Sequence, residues 1–168
     1  AWIDFRAFNE NFETLFEKLL PEIRDPPALL YLDQNGIKFL SPKYFLRLEE
    51  LRQTDFLYFV SSYYALRFGH TAEFREHLKL DIEAARKDPY RFIHKAILSH
   101  LRTLLPSGSK LKLYPYSIKK SASTNIYGII FGATHPLAAD KFLGIAWKRD
   151  GQSGEANFDI NEDAKKIQ

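Results

Sequence analysis

The sequence predicts an α/β domain in which a parallel sheet ends in an antiparallel β-hairpin, with helices flanking the sheet. The first observation is a pair of continuous apolar runs, at residues 28–32 and 54–62. Such runs are typical of strands that a parallel sheet buries on both faces. The second is an amphipathic helical segment between them, which makes a βαβ unit. The third is an alternating segment at 110–118, followed closely enough by an apolar run at 125–133 to pair with it as a hairpin.

The remaining segments are predicted from helical periodicity and from residues that begin or end helices. Residues 1–8 are expected to form a strand that leads into a helix, and this helix is expected to end at Pro21. Ser41-Pro42 predicts a hydroxyl cap with proline at the first helical position. Further helices are expected to begin near Thr71, Asp88-Pro89 and His135-Pro136. Residues 1–150 would then form the domain, and residues 151–168 a polar tail.

The composition is that of a globular protein and excludes several classes of site. The chain has 168 residues, of which 45% are hydrophobic, 27% charged and 15% aromatic, enough for one domain with a packed core. It has no cysteine, which excludes disulfides and thiolate metal sites, and its histidines show no metal-ligand spacing. No apolar run approaches a membrane span. Without cysteines, the default expectation is an intracellular, cytoplasmic protein. The net charge of +3 permits contact with nucleic acid without requiring it.

Four segments resemble the three-Cys-motif partner proteins (TcmP), a family of methyltransferase-like proteins found in bacteria and mobile elements. They are LLYLDQNGIKFLSP (29–42), TDFLYFVSSYYALRF (54–68), IYGIIFGATHPLAADKFLGIAWK (126–148) and GEANFDI (154–160). The resemblance covers nearly all of the chain. It implies a partial Rossmann-like, class I methyltransferase-like sheet, whose last part is a parallel sheet that finishes with an antiparallel hairpin, as predicted above. It also implies S-adenosylmethionine as cofactor and a partner that resembles a radical-SAM enzyme with a three-cysteine motif.

Compared with this family, the chain is expected to be a fragment that lacks the cofactor-binding half. Members begin with a strand and a glycine-containing loop that would hold S-adenosylmethionine, and this sequence has no such loop. Members also continue beyond GEANFDI, which implies that the polar tail at 151–168 leads toward a missing C-terminal region. The chain would therefore supply the substrate side of the cleft and be inactive alone. Its first strand would have an open edge, for which we expect either a homodimer or cover from residues 1–8.

The first candidate site follows the strand at 28–32. Ligands of open α/β sheets bind beyond the carboxyl ends of the strands. The resemblance aligns Asp33 with the end of the fourth methyltransferase strand, where amino-methyltransferases place an Asp-Pro-Pro-aromatic motif that holds the amine. Asp33 and Asn35 are thus candidate catalytic residues, and Gln34 is a candidate substrate contact. Both prolines and the aromatic residue are absent, and the alternative is a plain strand-to-helix turn.

Further candidate substrate contacts lie at the same predicted edge of the sheet. Ser61, Ser62 and Tyr63 end the second strand, and Tyr63 offers a ring on which a base could stack. Lys119 and Lys120 lie in the hairpin and could meet phosphate. The alternatives are ordinary loop polarity and packing for the first three, and a solvated turn for the lysines. His135 follows the reversed last strand, so we expect it at the opposite edge, as part of a helix start.

Two functions remain open at the level of sequence. The first is an S-adenosylmethionine-dependent methyltransferase of unknown substrate, of which this chain forms the substrate side. The second is a non-catalytic methyltransferase-like module that binds a protein partner, the three-Cys-motif radical-SAM-like protein, or nucleic acid. The altered sequence after Asp33 motivates the second.

Overall fold

The computed structural model describes residues 5–33, 37–80, 89–120, 125–160 and 162. The helices are α1 (Phe12–Ile23), α2 (Pro42–Glu49), α3 (Ser62–Phe68), α4 (Ala72–His77), α5 (Pro89–Leu104) and α6 (Pro136–Arg149), with a 3-10 turn at Lys38–Leu40. The strands are β1 (Ala28–Asp33), β2 (Thr54–Ser61), β3 (Lys112–Lys119) and β4 (Ile126–Ala133).

The four strands form one mixed sheet in the order β1-β2-β4-β3. β1 and β2 are parallel, while β4 is antiparallel to both β2 and β3. The predicted α/β architecture, with a parallel pair followed by an antiparallel hairpin, is confirmed. Since β1, β2 and β3 all run the same way, their carboxyl ends lie at one edge of the sheet, together with the amino end of β4. We call this the carboxyl edge.

The two faces of the sheet differ in how they are covered. Along β2, Phe56, Tyr58 and Val60 are buried in the main core, and the residues between them are only half-buried on the other face. Helices α2 and α5 lie over the core face, because their apolar stripes supply buried residues such as Phe45, Leu48, Ile97 and Leu101. The opposite face, which we call the outward face, carries α6.

Helix α6 covers only the part of the outward face that β3 and β4 form. Its Phe142 ring stacks on Phe131 of β4, with the ring centroids 4.5 Å apart. On β1 the outward residues Leu29 and Tyr31 are 65% and 58% exposed. Among the described residues, β1 pairs with β2 alone, so its other edge is open. An apolar strand at an open edge is a surface that proteins usually cover.

Several predicted boundaries were wrong. Residues 5–8 form no strand and are exposed, and residues 1–4 lie outside the described part of the chain. Pro21 does not end the first helix but lies within its last turn, where a missing N–H costs one hydrogen bond and the chain continues to Ile23. The Ser41 hydroxyl makes no cap hydrogen bond. Its carbonyl instead accepts from the Tyr44 and Phe45 amides.

Residues 151–160 also differ from the polar tail that was expected. The Ser117 amide donates to the Glu155 carbonyl at 2.7 Å, and the Asn157 amide donates to the Ser117 carbonyl at 3.0 Å. This isolated parallel bridge places the segment along the outer edge of β3. Ala156 and Ile160 are buried, so apolar side chains between polar neighbours hold the segment to the sheet.

Candidate functional site

Most of the predicted site residues lie at the carboxyl edge. Asp33 ends β1, Ser61 ends β2 and Lys119 ends β3. The Asp33 side chain is exposed, and in the β1–β2 register it lies directly opposite Phe59. Adjacent strands are about 4.8 Å apart, so the two residues are neighbours. Gln34 and Asn35, the candidates that follow Asp33 in the sequence, lie outside the described residues.

The Ser61–Ser62–Tyr63 segment is held to the hairpin by Asn125, which sequence reasoning did not single out. The Ser62 hydroxyl donates to Asn125 Oδ1 at 2.9 Å, and the Tyr63 amide donates to the same oxygen at 3.0 Å. Asn125 Nδ2 donates to Ser61 Oγ at 3.4 Å. The Ile126 amide donates to Ser62 Oγ at 3.2 Å. These bonds fix the start of α3 beside β4.

The same bonds separate the roles of the three predicted substrate contacts. Ser62 is 1% exposed and its hydroxyl is already engaged, so it acts as a structural link. Ser61 is half-buried, and Tyr63 is 49% exposed. Ser61 and Tyr63 are therefore the members of this segment that can reach a ligand. An asparagine at the start of a strand was the only sequence signal for the link.

The two lysines of the hairpin lie on different sides of the sheet edge. Asn157 holds Lys119 by its backbone, accepting from its amide at 2.8 Å and donating to its carbonyl at 3.1 Å. The Lys119 Nζ lies 5.9 Å from the centroid of the Phe158 ring. The Lys120 Nζ lies 5.4 Å from the centroid of the Tyr127 ring. Only Lys120 therefore belongs to the outward face.

An aromatic pair lies on the outward face at this edge. The rings of Phe59 and Tyr127 have centroids 5.2 Å apart and an interplanar angle of 23°. Both side chains are half-buried, and Ser61 lies opposite Tyr127 in the β2–β4 register. The alternating burial of β2 could have predicted that Phe59 faces outward. The contact with Tyr127 could not be predicted, because it depends on the register of two strands far apart in sequence.

A buried histidine lies beneath the sheet, on the core face. His94 of α5 is 1% exposed, and its Nε2 forms a hydrogen bond with the Ser117 hydroxyl of β3. Burial, with a smaller effect of the Lys95 charge, lowers the pKa of His94 to about 4. Gly128 makes room for it, because a Cβ there would lie 2.5 Å from the His94 Cβ. Neither residue of this pair can reach a substrate in this arrangement, so we assign it to the scaffold.

His135 lies at the edge opposite the candidate residues, as its position after β4 predicts. Its Nδ1 accepts from the Leu137 amide at 3.1 Å, which makes it the cap of α6. A groove of about 710 Å³ runs beside it, and a smaller one of about 370 Å³ lies nearby. Both grooves are lined by Glu50 and Arg52, so their charges are mixed. These open grooves lack a convergent set of reactive groups.

The described ranges contain neither a metal-ligating cluster nor a membrane-spanning helix. No group of three or more histidine, aspartate or glutamate side chains there could hold a metal ion. None of the described helices has the length and apolarity needed to cross a membrane.

Comparisons of the chain with protein-family models, with curated proteins and with solved structures found no match. The fold and the residues at the carboxyl edge are therefore the basis of the function proposed below.

Proposed function

We propose that this chain supplies the substrate side of the cleft in an S-adenosylmethionine-dependent methyltransferase-like domain of the TcmP kind. The observation that carries the proposal is the sheet order β1-β2-β4-β3, in which the last strand is reversed and inserted between two parallel neighbours. A parallel pair that finishes with an antiparallel hairpin is the architecture that the resemblance to TcmP proteins implies for the end of a class I methyltransferase sheet. The open edge of β1 and its uncovered outward side chains offer a place for a cofactor half.

In this proposal Asp33 accepts a hydrogen bond from the nitrogen that becomes methylated. An exposed carboxylate beyond the carboxyl end of β1 lies where ligands of open α/β sheets bind. By accepting an N–H, it turns the nitrogen lone pair away from itself and toward a methyl donor. S-adenosylmethionine, held by residues across the open edge of β1, would supply the methyl group. Ser61 and Tyr63 complete the wall of the cleft on the β2 side.

The test is the Asp33→Asn variant in the longer protein that the proposal requires. Asparagine keeps the size of the side chain and removes the charge, so transfer of a labelled methyl group should fall by about 10²-fold or more. Cofactor affinity should stay unchanged, because Asp33 contacts substrate. Asp55→Asn is the matched control, since Asp55 lies on the outward face at the opposite end of β2. Full activity of Asp33→Asn, or an equal loss in both variants, would refute the role of Asp33.

A second candidate is a non-catalytic module that binds a protein partner, and one observation favours it. On α6, Ile145 and Trp147 are 62% and 50% exposed, although most large apolar residues of this chain are buried. Large apolar side chains that a helix leaves exposed can serve as contacts for a protein partner, although these two, spaced i and i+2, lie on different faces of α6. This version predicts that a cysteine-rich partner copurifies with the chain and is lost from the Trp147→Ala variant. Methyl transfer that depends on Asp33, without any partner, would favour the first proposal.

A further inference from the structure

The rings of Phe59 and Tyr127 form a short aromatic stack of two half-buried side chains on the outward face. They are nearly parallel, and α6 covers the neighbouring part of the face through Phe131 rather than this pair. Tyr127 lies on the β4 side of Phe59, and Asp33 is opposite Phe59 on β1. The side of Phe59 that faces β1 is therefore the side on which a third planar ring can join the stack. Half-exposed rings on a sheet face are a common platform for unstacked nucleobases.

The charges around this pair suit a base that carries a phosphate. The Lys120 ammonium lies 5.4 Å from the Tyr127 centroid, at the end of the stack away from Asp33. Lys119 is exposed on the other side of the same turn, and the chain as a whole has a net charge of +3. At the opposite end of the stack, the Asp33 carboxylate can accept from the exocyclic amine of a base. The arrangement thus runs from a cation, through two rings, to a hydrogen-bond acceptor.

We propose that the outward face at the carboxyl edge binds single-stranded nucleic acid, with one base stacked on Phe59 and its phosphate backbone near Lys120. A duplex would not serve, because its bases are stacked on one another and their ring faces are covered. An acidic peptide would meet the lysine but would leave the two rings without a planar partner. The inference names the substrate class of the site proposed above and rests on that proposal for the role of Asp33. Binding itself can be measured without cofactor.

The test is fluorescence anisotropy with labelled single strands of roughly 12 nucleotides, a length within the site sizes of single-strand binders. RNA, DNA and the corresponding duplex are titrated with the 168-residue chain at about 50 to 200 mM salt. The proposal predicts binding of single strands that weakens with salt, and much weaker binding of the duplex. Phe59→Leu should weaken it about tenfold, because leucine fills the space but offers the base no ring face.

Lys120→Ala and Lys112→Ala form the matched pair for the charge. Both lysines are exposed, and each substitution removes one positive charge. Lys112 differs in lying at the other end of β3, opposite Ala133. Lys120→Ala should weaken binding about threefold and reduce the salt slope by about 0.7, whereas Lys112→Ala should do neither. Circular dichroism checks that each variant is folded. If Phe59→Leu does not fold, the exposed Lys120 still carries the test.

The outcomes separate this inference from the proposed function. Absence of single-strand binding at low salt, or equal losses from Lys120→Ala and Lys112→Ala, would overturn the nucleic-acid site. Duplex binding as tight as single-strand binding would overturn it as well. Single-strand binding that depends on Phe59 and Lys120 supports it even where the longer protein binds no S-adenosylmethionine. That last result would refute the proposed methyl transfer and leave the nucleic-acid site supported.

Discussion

The buried His94 predicts a specific dependence of stability on pH. Its pKa is about 4 in the folded protein, against 6.5 for an unperturbed histidine, because burial disfavours the charged ring. The difference of about 2.5 units corresponds to about 3 kcal/mol at about 1.4 kcal/mol per unit. The direction in which stability changes with pH follows from the unfolded state, which has the higher pKa and binds the proton first as the pH falls. Above pH 6.5 both states are neutral and the full stability is present. As the pH falls from 6.5 toward 4, only the unfolded chain is protonated, and stability is lost.

The assay is urea unfolding of the chain and of the His94→Gln variant across this pH range. Glutamine can still form a hydrogen bond with Ser117 but does not titrate. The original chain should lose about 2 kcal/mol more than the variant between about pH 7.5 and pH 5. The nearby Lys95–Glu155 ion pair, with 3.1 Å between its charged atoms, is present in both proteins and cancels from the comparison. Equal pH dependence of the two proteins would refute the argument that His94 is held neutral by burial.

Two further predictions concern packing and the open strand edge. Gly128→Ala should lower Tm by about 5 °C, because the new methyl group meets His94 in a closely packed core. Gly144→Ala is the control and should not lower Tm, because a Cβ there would have no atom within 4 Å. Equal Tm values for the two variants in calorimetry would contradict this prediction. The 168-residue chain should self-associate through β1, and Tyr31→Lys should weaken the dimer about tenfold or more, whereas Leu137→Lys on α6 should leave it intact. Sedimentation velocity tests this, and a monomer at every concentration would contradict it.

Much of the fold could be predicted from the sequence because its strands are apolar and its turns are polar. Residues 28–32, 54–62, 110–118 and 125–133 all lie on observed strands, with ends that differ by about two residues at most. The reversed direction of β4 also followed, since a short turn can join two strands only as a hairpin. The placement of His135 at the far edge was correct for the same reason.

What the sequence did not predict depends on contacts between distant segments. Residues 154–160 were seen as a motif, but their bridge to Ser117 needs the outer edge of β3 to be free. Asn125, Phe59 and Tyr127 carry no local signal of function, and only the β2–β4 register brings them together. The separation of Lys119 from Lys120, in contrast, needs no distant contact and follows from the alternation of side chains at the end of a strand. Adjacent residues there point to opposite faces.

The measurement that tests the central claim most directly is calorimetric titration of S-adenosylmethionine. It compares the chain of residues 1–168 with the longer protein that carries a cofactor half beside β1. The account predicts saturable binding to the longer protein and none to the 168-residue chain. Absence of binding to the longer protein would contradict the account. Binding to residues 1–168 alone would also contradict it, because the cofactor would then not need the half that is proposed to lie beside β1.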